Sequence, residues 1–395
     1  MKRILLITPM LHQGGFERIC VMTARLLQKD YEVFIAVFSM EDIAYDVSGL
    51  NVIDLNLASR KGKLGKIINV FRRCIKLSRL QKKLKIDVSY SFGTTANIAN
   101  ALSFGAKRKI SSCRSFEEIK ERLYMKLICH QTDKVLCCAE KMADLAERSY
   151  GTGNIQALWN PCDIENIAFL SSTMPEEDIS FFRSKERVLV SMGREDDVKG
   201  FWHLLKIFRR VHEENGLTRL AVIGDGSFEE YKRMAEELQI QEHVLFTGLK
   251  KNPFPYLKES NCYLLTSLSE GLPNALIEAM ALSLPVVSAN CLSGPAEILN
   301  VDWQEAEQQK EIFYADFGIL IPPLREKKDI NIIWSNEDPK SILLDETEEM
   351  FAKAVIELLE NQEVYKKYQG LSAKRAADFS KEAYLKELRT CIDSL

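Results

Sequence analysis

Short apolar runs and helix-period segments alternate along this chain in two series, parted by one polar stretch. In the first series the apolar runs at 3–8, 32–38, 52–55, 88–91, 109–112 and 134–138 read as strands. Segments with apolar residues at helical spacing, such as 17–28 and 141–149, lie between them. A strand–helix–strand rhythm of this kind predicts a parallel, doubly wound sheet. Residues 171–186 are polar, contain Pro175, and read as a linker. The second series has strands at 187–192, 219–223, 244–247, 262–266 and 285–288, and helices at 202–214, 229–238 and 274–282. A charged, proline-containing insertion at 300–340 breaks the rhythm, and helices at 347–359 and 381–392 close the chain. The expectation is an α/β protein with domains at 1–170 and 187–370. A C-terminal helical segment, 371–395, can cross back to the first domain.

Composition supports two cores. The chain has 395 residues and is 46% hydrophobic, more than one core usually serves. The run 4–7 stops at Thr8-Pro9, too short for a signal peptide and better read as a buried strand. No stretch approaches the roughly 20 apolar residues of a spanning helix, so a cytoplasmic protein is expected. The ten cysteines show no metal-ligand spacing and read as reduced thiols. No metal site is expected from them or from the five histidines; His12 and His130 read as structural. The net charge of −3 hides an asymmetry: residues 1–165 carry 26 Lys/Arg against 17 Asp/Glu, and the remainder 27 against 39. One half is therefore suited to an anionic partner.

Several turns carry candidate chemistry. Gly14-Gly15 follows the first strand and opens a helix, where backbone N–H groups can meet an anion, or where the chain merely turns tightly. The spacing is not G-x-G-x-x-G, which disfavours a dinucleotide site. Gly193-Arg194 follows the strand 187–192, with Lys199-Gly200 shortly after. Two cations at the C-terminal edge of a parallel sheet would stabilise the charge on a departing diphosphate without a metal. The intervening Glu195-Asp196-Asp197 reads as loop rather than as a metal motif. Gly224-Asp225-Gly226 is a turn that can shape the same pocket.

The most informative segment runs Ser269-Glu270-Gly271-Leu272-Pro273-Asn274-Ala275-Leu276-Ile277-Glu278. A strand enters a Gly/Pro loop, and the loop enters a helix for which Asn274 is the candidate N-cap. Glu270 and Glu278 would stand about 10 Å apart, a reach matching opposite ends of a nucleotide-sugar.

In order and spacing, these segments together with Asn160-Pro161, Asp163 and Gly294-Pro295-Ala296-Glu297-Ile298 resemble the retaining glycosyltransferases of family 4 (glycosyl transferases group 1). The resemblance covers nearly the whole chain. It implies the GT-B architecture, two Rossmann-like domains facing a central cleft, with acceptor bound by the first and nucleotide-sugar donor by the second. Arg194, Lys199 and Glu270 would be the catalytic residues. Gly15, Gly193, Gly248, Leu249, Gly271, Leu272, Asn274, Ala275 and Glu278 would bind the donor, Glu278 at the ribose and the loop 248–250 at the base. Transfer would retain anomeric configuration and need no metal or other cofactor, and UDP is the family's usual nucleotide. The product would be a hexose or N-acetylhexosamine on a glycan or a polyprenyl-diphosphate-linked acceptor, in surface polysaccharide assembly.

Gly14, Thr94, Asn97 and Arg114 are the acceptor-side candidates. Arg114 stands where many relatives carry a histidine; this loop, 111–116, has none. Residues 60–85 hold eleven Lys/Arg and no acid, with Leu64, Ile67, Ile68, Phe71, Cys74, Ile75 and Leu77 at helical spacing. Such a helix can lie on an anionic membrane surface, or pack its apolar face on the sheet while its charges meet water. A nucleic-acid module is missing. Two other functions fit the architecture, a nucleotide-sugar epimerase and a non-catalytic accessory subunit. The first lacks a clear set of acids and a histidine; the second is disfavoured by Arg194, Lys199, Glu270 and Glu278 occurring together.

Overall fold

The computed structural model describes residues 1–12, 14–58, 62–173, 176–183, 185–335, 338 and 341–395. Pro175 and residues 60–61 of the basic stretch lie outside the described residues. The chain forms two compact units, Met1–Pro161 with Lys381–Leu395, and Cys162–Ser380.

The first unit is built on strands β1 (Arg3–Thr8), β2 (Glu32–Val37), β3 (Asn51–Asp54), β4 (Val88–Ser91), β5 (Arg108–Cys113), β6 (Lys134–Cys137) and β7 (Ile155–Ala157). They form one parallel sheet in the order β3-β2-β1-β4-β5-β6-β7. Strand β1 shows why the apolar run is continuous. Successive side chains point to opposite faces, and both faces are covered. Ile4 and Leu6 enter one core cluster with Ile19, Ala24 and Leu27 of the helix Gly15–Leu27. Leu5 and Ile7 enter another with Leu77 of the helix Lys63–Leu84 and with Ala96 and Ala99. The C-terminal helix Lys381–Asp393 returns to this unit and buries Tyr384, Leu388, Cys391 and Ile392 in the first of these clusters. There the Tyr384 and Thr23 hydroxyls meet at 2.8 Å.

The second unit carries β8 (Arg187–Met192), β9 (Thr218–Ile223), β10 (Val244–Gly248), β11 (Cys262–Leu265), β12 (Val286–Ala289), β13 (Phe313–Tyr314) and β14 (Ile319–Ile321). Their order is β10-β9-β8-β11-β12-β14-β13, parallel apart from the antiparallel edge β13. Trp202, Phe201 and Phe208 of the helix Phe201–Glu214 are fully buried against this sheet's cluster, with Phe351 and Val355 of the helix Glu346–Glu360.

The structure differs from the sequence reading in several places, among them the return of the chain to the first unit, which begins at Lys381 rather than 371. The first unit ends at Pro161 rather than 170, because Asp163 caps the helix Ile164–Leu170 and Asn252 Nδ2 donates to Leu170 O at 2.8 Å, binding that helix to the second unit. The stretch expected as a linker carries the helix Glu176–Phe182, whose Asp178 accepts from Lys250 Nζ and the Tyr256 hydroxyl. The expected insertion at 300–340 supplies β13 and β14, short strands that its charged surroundings conceal. No disulfide links the ten cysteines, all of which are described, and nine are buried. Among the described residues no helix is long and apolar enough to cross a membrane.

Candidate active site

In the second sheet the strand order reverses between β8 and β11. Loops leaving two such neighbours diverge and open a crevice at their C-terminal ends. Most of the expected donor residues follow these two strands.

After β8 the chain passes Gly193 and the exposed Arg194, makes a short 3₁₀ turn at Asp197–Lys199, and enters the helix Phe201–Glu214. Gly200 bridges the turn and the helix in the left-handed region, φ 63°. A Cβ there would lie 2.3 Å from the Thr266 carbonyl oxygen, so only glycine lets this loop approach the end of β11. Thr266 Oγ1 returns a bond to Lys199 O at 3.1 Å. The Lys199 side chain crosses over Gly193, whose missing Cβ leaves it room. Its Nζ ends 2.6 Å from Glu270 Oε1, with the two side chains 25% and 13% exposed. Gly224 is held as tightly: a Cβ on it would sit 1.7 Å from Gly193 O.

The three acids between Arg194 and Val198 are occupied within the loops. Glu195 Oε2 accepts from Phe228 N at 2.8 Å, Asp196 caps the 3₁₀ turn, and Asp197 pairs with Lys328 at 2.8 Å.

After β11 the loop through Glu270, Gly271 and Leu272 enters the helix Asn274–Ala281. Pro273 occupies the N-cap position and Asn274 is the first helical residue, a correction to the expected cap. Ser293 braces this loop from below, its hydroxyl donating toward Glu270 O at 2.7 Å and Gly271 O at 3.0 Å. Gly294, at φ 91°, fits against Pro273 and Gly271 where a side chain would clash. Glu278 is buried on the helix, and Tyr263 of β11 is fully buried nearby. Burial, then the charge of Glu270, pushes the Tyr263 hydroxyl well above its ordinary value. The same two causes, in the same order, push up the Cys291 thiol. At the end of β10, Gly248 stands at φ 68° with open space around it, and Leu249 is exposed.

The first sheet reverses between β1 and β4. Gly14 and Gly15 lie at the matching turn, where the Tyr45 hydroxyl donates to Gly14 O at 2.6 Å. A Cβ on Gly14 would lie 2.2 Å from the Glu17 carboxylate as that side chain stands. Thr94 is exposed, its hydroxyl donating to Glu118 Oε1 at 3.0 Å. Asn97 is not at a surface. It is fully buried, accepts from Ser91 Oγ, and donates to Ser112 O at 2.6 Å and Tyr124 OH at 2.7 Å. Its amide ties β4 to β5, which removes it from the acceptor-side set. Arg114 donates to Asn160 Oδ1 and to Tyr90 OH, with its guanidinium 5.4 Å from the Phe92 ring centroid. These contacts hold it as a brace within the unit.

The pattern of the family described as Glycosyl transferases group 1 matches residues 175–303, the stretch carrying both loops of this crevice. An uncharacterized glycosyltransferase of Methanocaldococcus jannaschii is 28% identical over 345 residues, covering 82% of this chain and 83% of that protein. The Campylobacter jejuni N-acetylgalactosamine-N,N'-diacetylbacillosaminyl-diphospho-undecaprenol 4-alpha-N-acetylgalactosaminyltransferase is 24% identical over 328 residues, covering 79% and 83%. Residues 175–303 thus carry the group 1 glycosyltransferase pattern, and the chain is similar over most of its length to glycosyltransferases. The fold agrees: the solved structure of Anabaena HepE in complex with UDP and glucose matches all of both chains with a TM-score of 0.75 at 17% identity. That fold is the GT-B class of two parallel-sheet α/β domains expected from the sequence.

Some residues of this glycosyltransferase's site carry no motif. Tyr263 reads as one more apolar strand position, and Ser293 as a loop serine next to the Gly294-Pro295 turn. Lys328 lies far along the chain in the charged stretch, yet pairs with Asp197 and Glu230 and so pins the turn that carries Lys199. Among the described residues, His203, Asp345 and Glu348 place possible metal ligands within 4.8 Å of one another. Their contacts are structural. His203 Nδ1 meets Glu348 Oε1 at 2.6 Å and Nε2 meets Arg325 O at 3.0 Å, while Asp345 accepts from Thr347 N and Glu348 N.

Proposed function

We propose that this glycosyltransferase moves a hexose or N-acetylhexosamine from a nucleoside-diphosphate sugar, with UDP as the nucleotide, and retains the anomeric configuration. The acceptor proposed is a glycan or a polyprenyl-diphosphate-linked saccharide of a surface polysaccharide. Support for that class comes from the Campylobacter relative, whose name describes a diphospho-undecaprenol acceptor.

The observation that carries the reading is the Lys199–Glu270 pair at 2.6 Å, formed by the loops after β8 and β11. A lysine ammonium has three N–H donors. Glu270 takes one and aims the side chain, leaving two for the phosphate oxygens of a donor. As the glycosidic bond breaks, negative charge grows on the departing diphosphate, and a pre-aimed cation stabilises it without reorganising. Arg194, exposed on the same loop, adds a second, forked donor. Glu270 has a further carboxylate oxygen for a sugar hydroxyl, and Glu278, deeper on the helix, suits the ribose. Backbone N–H groups of Gly271, Leu272, Asn274 and Ala275 meet the sugar and phosphate between them. Cations in these places make the reaction metal-independent. The β-phosphate serves to take the acceptor's proton, so that nucleophile and leaving group share one face. The enzyme works in the cytoplasm.

The test is transfer of sugar from radiolabelled UDP-sugars to an extract of lipid-linked saccharides, in EDTA. Lys199→Ala and Glu270→Ala should each lower turnover at least 100-fold, the loss typical of a removed charge-stabilising group, while circular dichroism stays unchanged. Wild-type turnover in either variant would overturn the assignment.

A further inference from the structure

The helix Lys63–Leu84 leaves one of its faces uncovered. Leu77 and Gln81 are fully buried, and Cys74, Leu80 and Leu84 pack against the same cluster. Arg73 also turns inward, donating to Leu57 O at 3.0 Å with its guanidinium 4.2 Å from the Phe38 ring centroid. The opposite face should then be polar. Instead Ile67, Phe71 and Ile75, spaced i, i+4, i+8, form an exposed row with Ile68 beside it, at 56%, 66%, 51% and 46% exposure. A second element extends this row. Ser78, one turn beyond Ile75, accepts from Phe104 N at 2.9 Å, and the backbone at Gly105 lies tight against Ser78 O. The contact presents Leu102 and Phe104, 38% and 72% exposed, beside the helix row. Six large apolar side chains from two elements thus share one surface.

Cations rim that surface. At 100° per residue, Arg72, Arg79 and Lys83 fall along one edge of the row and Lys82 within it, and all four are exposed. Among the described residues none of the four forms an ion pair. Lys109 Nζ stands 5.6 Å from the Phe104 ring centroid. The whole unit carries 29 Lys/Arg against 18 Asp/Glu, a net of +11, while the other unit is net −14.

We infer that this face seats on an anionic lipid bilayer, with Ile67, Ile68, Phe71, Ile75, Leu102 and Phe104 entering the acyl boundary and Arg72, Arg79, Lys82 and Lys83 meeting headgroup phosphates. A bilayer surface offers both partners at once, an apolar layer and negative charge above it. A nucleic acid would leave the apolar row wet. Two copies of this face would oppose cation to cation. The inference stands apart from the donor-site reading, since none of its residues belongs to that site.

The experiment is flotation of the full-length protein with vesicles of pure phosphatidylcholine and of 70:30 phosphatidylcholine:phosphatidylglycerol, at low and at high salt. Binding should occur only with phosphatidylglycerol and weaken as salt rises. Arg72→Gln/Arg79→Gln/Lys82→Gln/Lys83→Gln should lower the bound fraction about tenfold or more. Phe71→Ser and, on the separate element, Phe104→Ser should each lower it about fivefold. Size-exclusion elution and the UDP-induced thermal shift of each variant report on folding independently. Equal binding to both vesicles, no binding to either, or insensitivity to Phe71→Ser and Phe104→Ser would overturn the inference. So would a wild-type dimer that these substitutions convert to a monomer.

Discussion

Gly200→Ala tests whether the loop that carries Lys199 is held by backbone approach to β11. Two costs are separable. The first is conformational: at φ 63° an alanine pays about 1 kcal/mol for the left-handed region. The second is steric: the new Cβ would stand 2.3 Å from Thr266 O, a backbone atom that cannot rotate away. The loop must move by about 1 Å, which strains the Thr266–Lys199 bond and shifts the Lys199 ammonium from Glu270. Gly248→Ala supplies the control, because its φ of 68° carries the first cost and its surroundings, empty within 4 Å, carry none of the second. For a domain the size of Cys162–Ser380, 1 kcal/mol is worth about 2–4 °C in Tm. Gly248→Ala should therefore lose about 2–4 °C. Gly200→Ala, at about 3 kcal/mol in total, should lose roughly 6–12 °C, and UDP affinity should fall at least tenfold. Differential scanning calorimetry and titration with UDP measure both. Equal, small Tm losses in the two variants, with UDP affinity kept in Gly200→Ala, would refute the reasoning.

Other consequences follow from single contacts. Ser293→Ala removes the brace under the Glu270 loop and should weaken UDP-sugar affinity about fivefold, as one lost hydrogen bond predicts, with little change in Tm. Asn97→Ala should destabilise the first unit by about 3 kcal/mol, since it removes three buried hydrogen bonds, yet leave donor affinity unchanged. Asp87 accepts from Lys107 Nζ and Arg3 N, and these bonds hold its carboxyl below the usual value. A depressed folded pKa gives stability above the ordinary carboxylate value near 4 that is lost as pH falls through the folded one. Chemical denaturation should show part of the wild-type acid destabilisation missing in Asp87→Asn.

The parts of this protein that announce themselves in sequence are those in which one residue type is compelled locally. Strand β1 is legible because both its faces are buried, and the Glu270–Glu278 segment because a glycine–proline loop must join a strand to a helix there. What escaped depends on partners distant along the chain. The cut at Pro161 follows from Asp163 and Asn252 acting on one short helix, and no composition shift marks it. Asn97 looks like a loop polar residue until the strand order places Ser91 and Ser112 on either side of it. The basic helix shows its amphipathic period plainly, but periodicity does not say which apolar residues the sheet covers. Leu77 is covered and Phe71 is not, and Arg73 is the buried member of a pair of adjacent arginines.

The central claim is that Lys199 and Glu270 form a donor site for a nucleoside diphosphate. Thermal shift of the wild type and of Lys199→Ala against UDP, GDP and ADP, with EDTA present, tests it most directly. At about 100 times its dissociation constant a nucleotide stabilises by roughly 2.7 kcal/mol. A shift of several degrees with UDP, unaffected by EDTA and lost in Lys199→Ala, is the expected result. A UDP shift that requires a divalent metal, or that survives unchanged in Lys199→Ala, would contradict the account.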